Sequence, residues 1–219
     1  PYGVAKELAT NVQKTQELFS PALAPIAAQT ISRRGGQAAG QQLAQVNRWI
    51  FTLQAAQWLF FYLSGAVILG WAGQEFETLT PALLLLRLAE IVFASSLSAD
   101  LPVIFSKPWI TTAVTATGIT LQIVFCIALI PQGGAIGAAY AILIAAYLLS
   151  AIRLYTSWKV AGSLCISISF LKPLFAALII FAGLTLFIDK IEALSPVLTV
   201  VVSVPLALIP MSILLYLLG

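Results

Sequence analysis

Six apolar runs, each about the length needed to cross a bilayer as a helix, constrain this chain more than any motif does. A hydrocarbon core ~30 Å thick takes about 20 apolar residues in helical form. Residues 50–69, 81–105, 109–130, 135–155, 170–188 and 196–218 meet that requirement. Between them lie short stretches of turn chemistry: RRGGQAAG at 33–40, GWAGQEFETLTP at 70–81, SKP at 106–108, PQGG at 131–134 and DKIEALSP at 189–196. None is long enough to hold a soluble domain. With 60% hydrophobic and only 9% charged residues, against about 25% charged in a soluble domain, the chain reads as an all-α polytopic membrane protein.

The thirty residues ahead of these runs supply a seventh crossing. Residues 18–31 are apolar but too short to span alone, and residues 4–17 continue them at helical spacing. Ala5, Leu8, Val12 and Thr15 fall on one side, with Lys6, Glu7, Asn11, Lys14 and Glu17 on the other. Joined, the two halves make ~45 Å of helix, which can cross lipid where its polar side faces water or protein. The alternative is an amphipathic helix on the outer surface, bending inward near Pro21 and Pro25. The mixed signs and amides of the polar face favour the crossing form, because surface-seeking helices carry a Lys-rich face. No Met stands at position 1 and no targeting segment is visible, so the chain reads as an internal part of a longer protein.

Alternate loops of such a chain lie on opposite sides. One set carries Arg33, Arg34, Arg48, Lys107, Arg153, Lys159 and Lys172, and the other only Lys190, beside Glu75, Glu77, Asp189 and Glu192. By the positive-inside tendency, the segments 32–48, 106–108 and 156–170 and the C-terminus are cytoplasmic. The net charge of +3 is spread singly between apolar runs, which gives no basic face for nucleic acid. There is no His, and Cys126 and Cys165 stand apart in apolar runs, so neither a metal cluster nor a nucleophile–base pair is present to bind a cofactor or drive bond chemistry.

Two features inside the spans carry chemistry. Arg87 and Glu90 stand three residues apart on one helix face, ~9 and ~14 Å beyond Pro81 by helical rise. Charges at that depth are functional or paired. Gln54 and Gln57 read as interhelical hydrogen-bonders. In PQGGAIGAAYA, Gly133, Gly134, Gly137, Ala138 and Ala141 recur at spacings of four and form a small-residue stripe for close helix packing.

The order of elements resembles the polysaccharide and lipid-linked oligosaccharide flippases of the multidrug/oligosaccharidyl-lipid/polysaccharide exporter superfamily. The resemblance rests on PALAPIAAQTISRRGGQ, TLTPALLLLRLAEIVFASSLSADLPVIFSKPWI and IPQGGAIGAAYAILIAAYLL. It covers residues 18–155, with 130–139 its best element; Ser106-Lys107-Pro108 stands where the family has a short Gly-Arg-Pro-like loop.

The resemblance implies that residues 1–155 hold five helices of a second lobe, that 156–219 add two appended helices, and that the first lobe lies elsewhere in the same protein. It implies a multi-pass protein of the bacterial inner membrane whose partners are membrane lipid and a lipid-linked saccharide substrate, carried by alternating access without enzymatic chemistry. Cavity logic, not a family motif, nominates Lys6, Asn11 and Lys14 for phosphate or sugar hydroxyls and Glu7 and Glu17 for charge balance or ion coupling. The alternatives are a multidrug antiporter of the same architecture, which favours aromatic lining and one decisive carboxylate, a membrane-embedded glycosyl- or acyltransferase, and a structural scaffold.

Single cysteines at Gly36, Lys107 and Lys159 are expected to react with an impermeant thiol reagent only from the cytoplasmic side, and at Gln74 and Gln132 only from outside. Labelling of position 36 from outside overturns this topology.

Overall fold

The computed structural model of the chain describes residues 3, 7, 13–97, 99–162, 170–186 and 195–217. Among these the regular elements are helices: α1 (Gln13–Ala72), a 3-10 helix (Gln74–Leu79), α2 (Thr80–Leu97), α3 (Asp100–Ser106), α4 (Pro108–Ala161), α5 (Leu171–Thr185) and α6 (Pro196–Leu217). Among the described residues, three stretches are long and apolar enough to cross a membrane: Gln37–Ala72, Pro108–Val160 and Pro196–Ile213. The all-helical, membrane-type character read from composition therefore holds.

The two longest helices are each folded back at one glycine. Gly35 (φ 83°, ψ 171°) breaks α1, and Gly134 (φ 52°, ψ −126°) breaks α4. A Cβ is disfavoured at such positive φ, so glycine is the residue that makes these reversals without strain. The Thr30 hydroxyl donates to Gln42 Oε1 at 3.0 Å, though twelve residues of straight helix would set them ~18 Å apart. The same folding in α4 brings Leu149 onto Gly118 and the Leu129 carbonyl onto Gly137. Each arm of α4 is ~39 Å long by helical rise.

The second arm of α1 is the centre of the bundle. One side of it buries Phe61 and Leu69 against Leu79, Leu83 and Leu86, with Ala139 of α4 closing the cluster. Its other side buries Phe51, Ala55, Leu59 and Leu63 against Ala176, Ile180 and Leu184 of α5 and Ala207 and Met211 of α6. The rings of Phe51 and Phe170 lie 4.4 Å apart, and those of Tyr62 and Phe181 4.9 Å, so α5 runs parallel to this arm. By contrast Trp58 Nε1 donates to the Leu84 carbonyl at 3.1 Å and Gly65 meets Leu83, so α2 runs antiparallel. Of the apolar stretch in Pro108–Val160 only 11% is buried, against 44% in Gln37–Ala72. The hairpin α4 is thus the outer element, with Ile123, Ile127, Tyr140 and Tyr147 exposed as a lipid-facing surface requires.

Three boundaries differ from the sequence reading. The segment 33–40 is a turn only at Gly35, and helix resumes at once, because QAAGQQLAQVNR lacks apolar runs but holds good helix formers. The run 81–105 is not one helix: it ends at Leu97 and restarts at Asp100. Pro102 explains the break, since its ring would clash with the carbonyl four residues back and it has no N–H to continue the ladder. In PQGG the helix continues through Pro131, and the reversal contracts to Gly134. Of the predicted small-residue stripe, Gly137, Ala138 and Ala141 are buried, while a Cβ on Gly133 or Gly134 would meet nothing within 4 Å. Packing thus starts after the turn.

Prolines also interrupt α6, at Pro205 and Pro210. Hydroxyls take up carbonyls nearby: Ser203 Oγ donates to Val200 O at 2.9 Å and Ser212 Oγ to Leu208 O at 2.8 Å. Such bonds back to the helix satisfy the serine hydroxyls where lipid offers no partner.

Gly137→Leu is expected to lower the yield and melting temperature of the folded protein, since even a Cβ there collides with the Leu129 carbonyl and the arms must separate; overpacking of this kind costs about 1–3 kcal/mol. Gly133→Ala is expected to leave both unchanged. Equal melting temperatures for the two variants, measured in detergent, contradict the close approach at Gly137.

Candidate functional site

One side of α2 carries Glu90 and Phe93, three residues apart, with Arg87 one turn earlier and turned toward α1. Opposite this face the two arms of α4 present small residues, Gly118 from the first and Ala145 and Ala146 from the second. Small side chains on three facing helices leave the space unfilled. The result is a cavity of about 330 Å³, lined by aliphatic side chains together with Glu90, Phe93, Thr115, Gln122 and Arg153.

Arg87 is fully buried, at 0% exposure. Its Nη2 donates to Gln57 Oε1 of α1 at 2.9 Å, and its guanidinium carbon lies 5.2 Å from the centre of the Phe61 ring. Glu90, one helical turn on, interacts with it electrostatically. Arg87 thus faces the α1 side of α2, while Glu90 reaches the cavity. A second buried cation stands at the other end of the cavity. Arg153 is 4% exposed, with its Nε 3.1 Å from Asp100 Oδ2, an ion pair without the alignment of a hydrogen bond. The guanidinium lies over the Phe93 ring at 4.5 Å. Its Nη1 is buried with no hydrogen-bond partner among the described residues. Ser96 and Ser150 hydroxyls, 2.9 Å apart, and the Ser150 Oγ bond to Val92 O at 3.1 Å pin α2 to the second arm of α4 beside this pair.

The chemistry available is recognition. Arg153 offers donors to an anion, Glu90 an acceptor to a cation or hydroxyl, and Gln122 and Thr115 neutral hydrogen bonds, all inside apolar walls where electrostatic contacts are stronger than in water. Among the described residues no group of His, Cys, Asp or Glu is placed to hold a metal ion. Cys126 is a free, half-buried thiol, and Cys165 lies outside the described residues.

Of the residues singled out from sequence, Glu90 lines the cavity and Arg87 adjoins it. Glu7 is helical and exposed, away from the lining; Lys6 and Asn11 lie outside the described residues, as do the side chains of Lys14 and Glu17 on α1. Gln57 makes the interhelical hydrogen bond expected of it, whereas Gln54, at 3% exposure, has a carbonyl oxygen that receives none among the described residues. Sequence reasoning passed over Asp100 and Arg153. Both sit inside apolar runs, at 81–105 and 135–155, and the rule that flagged Arg87 and Glu90 applies to them equally. Arg153 is a buried ion-pair partner and not one of the loop cations among which the charge count placed it.

In comparisons with known proteins, no family model, no curated protein and no solved structure matches this chain.

Arg153→Met is expected to destabilise the protein by about 3–5 kcal/mol, because it strands a buried Asp100 carboxylate; combining it with Asp100→Leu is expected to restore most of that loss. Melting of the purified variants in detergent decides it. A double variant no more stable than the single one means that the pair is not coupled.

Proposed function

We propose that this chain is part of a two-lobe carrier that moves a lipid-linked saccharide across a bacterial cytoplasmic membrane by alternating access. The observation that carries the reading is the cavity between α2 and the α4 hairpin, where Arg153, Glu90, Gln122 and Thr115 converge inside otherwise apolar helices. Polar and charged groups held at that position are costly and belong to substrate or ion pathways. A phosphorylated sugar headgroup matches the set: phosphate to a guanidinium, hydroxyls to the carboxylate, amide and hydroxyl. The lipid tail stays in the bilayer, and two lobes rocking about the cavity expose it alternately.

The helix order supports the same reading. Under this reading the two arms of α1, the pair α2–α3, the two arms of α4, α5 and α6 are counted as seven crossings. Under it Gly35, residues 106–108 and the C-terminus face the cytoplasm, and Gly134 faces outside. A first lobe of the same protein closes the cavity, and the mixed polar face at residues 6–17 contributes Lys6, Glu7, Asn11, Lys14 and Glu17 to the lumen. No bond is made or broken.

A second reading, export of an organic cation in exchange for protons, is favoured by one specific observation. Glu90 is the one carboxylate among the lining residues, and Phe93 lies beside it, the combination an amphiphilic cation selects.

In the complete carrier, Arg87→Leu with Glu90→Leu is expected to retain near-normal membrane abundance, because an apolar replacement of both charges strands neither. Saccharide translocation in vesicles is expected to fall to background. Normal translocation at normal abundance refutes a role for these charges in transport. Loss of organic-cation efflux with intact saccharide movement moves the assignment to the antiporter.

A further inference from the structure

A second cavity, of about 420 Å³, opens on the opposite side of α1, between its second arm, the start of α5 and the end of α6. Its lining is apolar on the α6 side, with Met211 buried at the base and the half-exposed Leu208 beside it, and it also carries Arg48, Trp49, Lys172 and Tyr216. Arg48 lies one helical turn before Phe51 and Lys172 two residues after Phe170, so on parallel helices whose rings meet there the two backbones are offset by ~7.5 Å along the axis, and both side chains line the one cavity. That interval brackets the edge of the apolar runs that begin at residues 50 and 170 and end at 218, the depth at which a bilayer turns from hydrocarbon to headgroup. No acidic residue is among the groups lining the cavity. Trp49 is 58% exposed and Tyr216 86% exposed, as aromatic residues are at the headgroup level.

Two cations at headgroup depth over an apolar slot fit one kind of occupant. We propose that this groove binds a single anionic glycerophospholipid, its phosphate held between Arg48 and Lys172 and one acyl chain laid along Leu208 and Met211. The phosphate gains charge-assisted hydrogen bonds, the chain fills apolar volume that water would otherwise face, and the aromatic pair brackets the glycerol. The lipid joins α5 and α6 to the central helix at the basic end of the bundle. This site faces away from the α2–α4 cavity and stands whether or not that cavity carries a saccharide.

The test is native mass spectrometry of the complete detergent-purified protein, titrated with dioleoyl phosphatidylglycerol and, separately, dioleoyl phosphatidylcholine. One phosphatidylglycerol adduct is expected at concentrations where phosphatidylcholine gives none. Arg48→Gln with Lys172→Gln is expected to weaken the adduct at least about tenfold, the scale of losing two basic residues at a lipid surface. Arg48→Lys with Lys172→Arg is expected to keep it, as is Lys107→Gln with Lys159→Gln, which removes the same charge at the same end of the bundle.

Ser212→Trp, which fills the groove without touching a charge, is expected to lose the adduct while retaining the wild-type melting temperature. It therefore decides the matter if the charge variant fails to fold. Equal retention of the two lipids, or equal loss in the Lys107 and Lys159 variant, overturns the proposal. So does displacement by glycerol phosphate as effective as by the lipid, which would reduce the site to a phosphate contact. Displacement a hundredfold better by a polyprenyl phosphate would assign the groove to a carrier lipid instead.

Discussion

An apolar chain in lipid has nothing but itself with which to satisfy its backbone, and each departure from helix here has a local means of doing so. Helices stop at glycine with positive φ, at Gly35, Gly73, Gly134 and Gly162, and restart at a proline in the first turn, as with Pro102 of α3 and Pro108 of α4. At Gly162 the left-handed residue returns its N–H to the Trp158 carbonyl at 3.0 Å, closing α4 with a bond that the helix end would otherwise lack. Thr78, Thr80 and Ser106 keep their own hydroxyls satisfied, each donating to a carbonyl three or four residues back. The folding of two long helices into hairpins, and with it the whole order of crossings, follows from where these few residues stand.

Once the backbone is satisfied, the remaining cost is charge. Arg87 is held by an amide, an aromatic face and a nearby carboxylate, and Arg153 by a carboxylate and an aromatic face. Both arrangements draw partners from different helices, so each also fixes how those helices lie: Arg87 ties α2 to α1, and Arg153 ties α4 to α3 and α2. Desolvation of such pairs offsets much of their attraction. Their weight lies in geometry, since they brace both ends of a cavity that small residues have left open. A groove with cations at its rim and none buried behaves differently, and the one beside α5 and α6 answers to the headgroups around it.

The helices over 109–130, 135–155 and 196–218 are legible because each is a long, mostly apolar run in which Arg153 is the one charged residue. Polar helix is not. Residues 36–49 look like a loop by hydropathy, yet they extend the central helix, because Leu43 finds Ala99 and Leu154 to pack against. Similarly, 81–105 reads as one span until Pro102 is weighed for its missing donor. For the site, depth within a run flags Arg87 and Glu90, whereas Arg153, near the end of its run, counts by position among the loop cations.

The sequence by itself determined that the chain is helical and apolar enough for lipid, and that long helices reverse within 33–40 and 131–134, because each depends on residues close together in the chain. Tertiary structure decided which charges meet. Asp100 and Arg153 are 53 positions apart, and Gln57 and Arg87 are 30 apart. Each pair forms only because a hairpin at Gly134, or an antiparallel return after the 3-10 helix, brings its helices side by side. The small residues that leave room between α2 and α4 act across that same distance, and a cavity is a property of three surfaces that no single stretch of sequence contains.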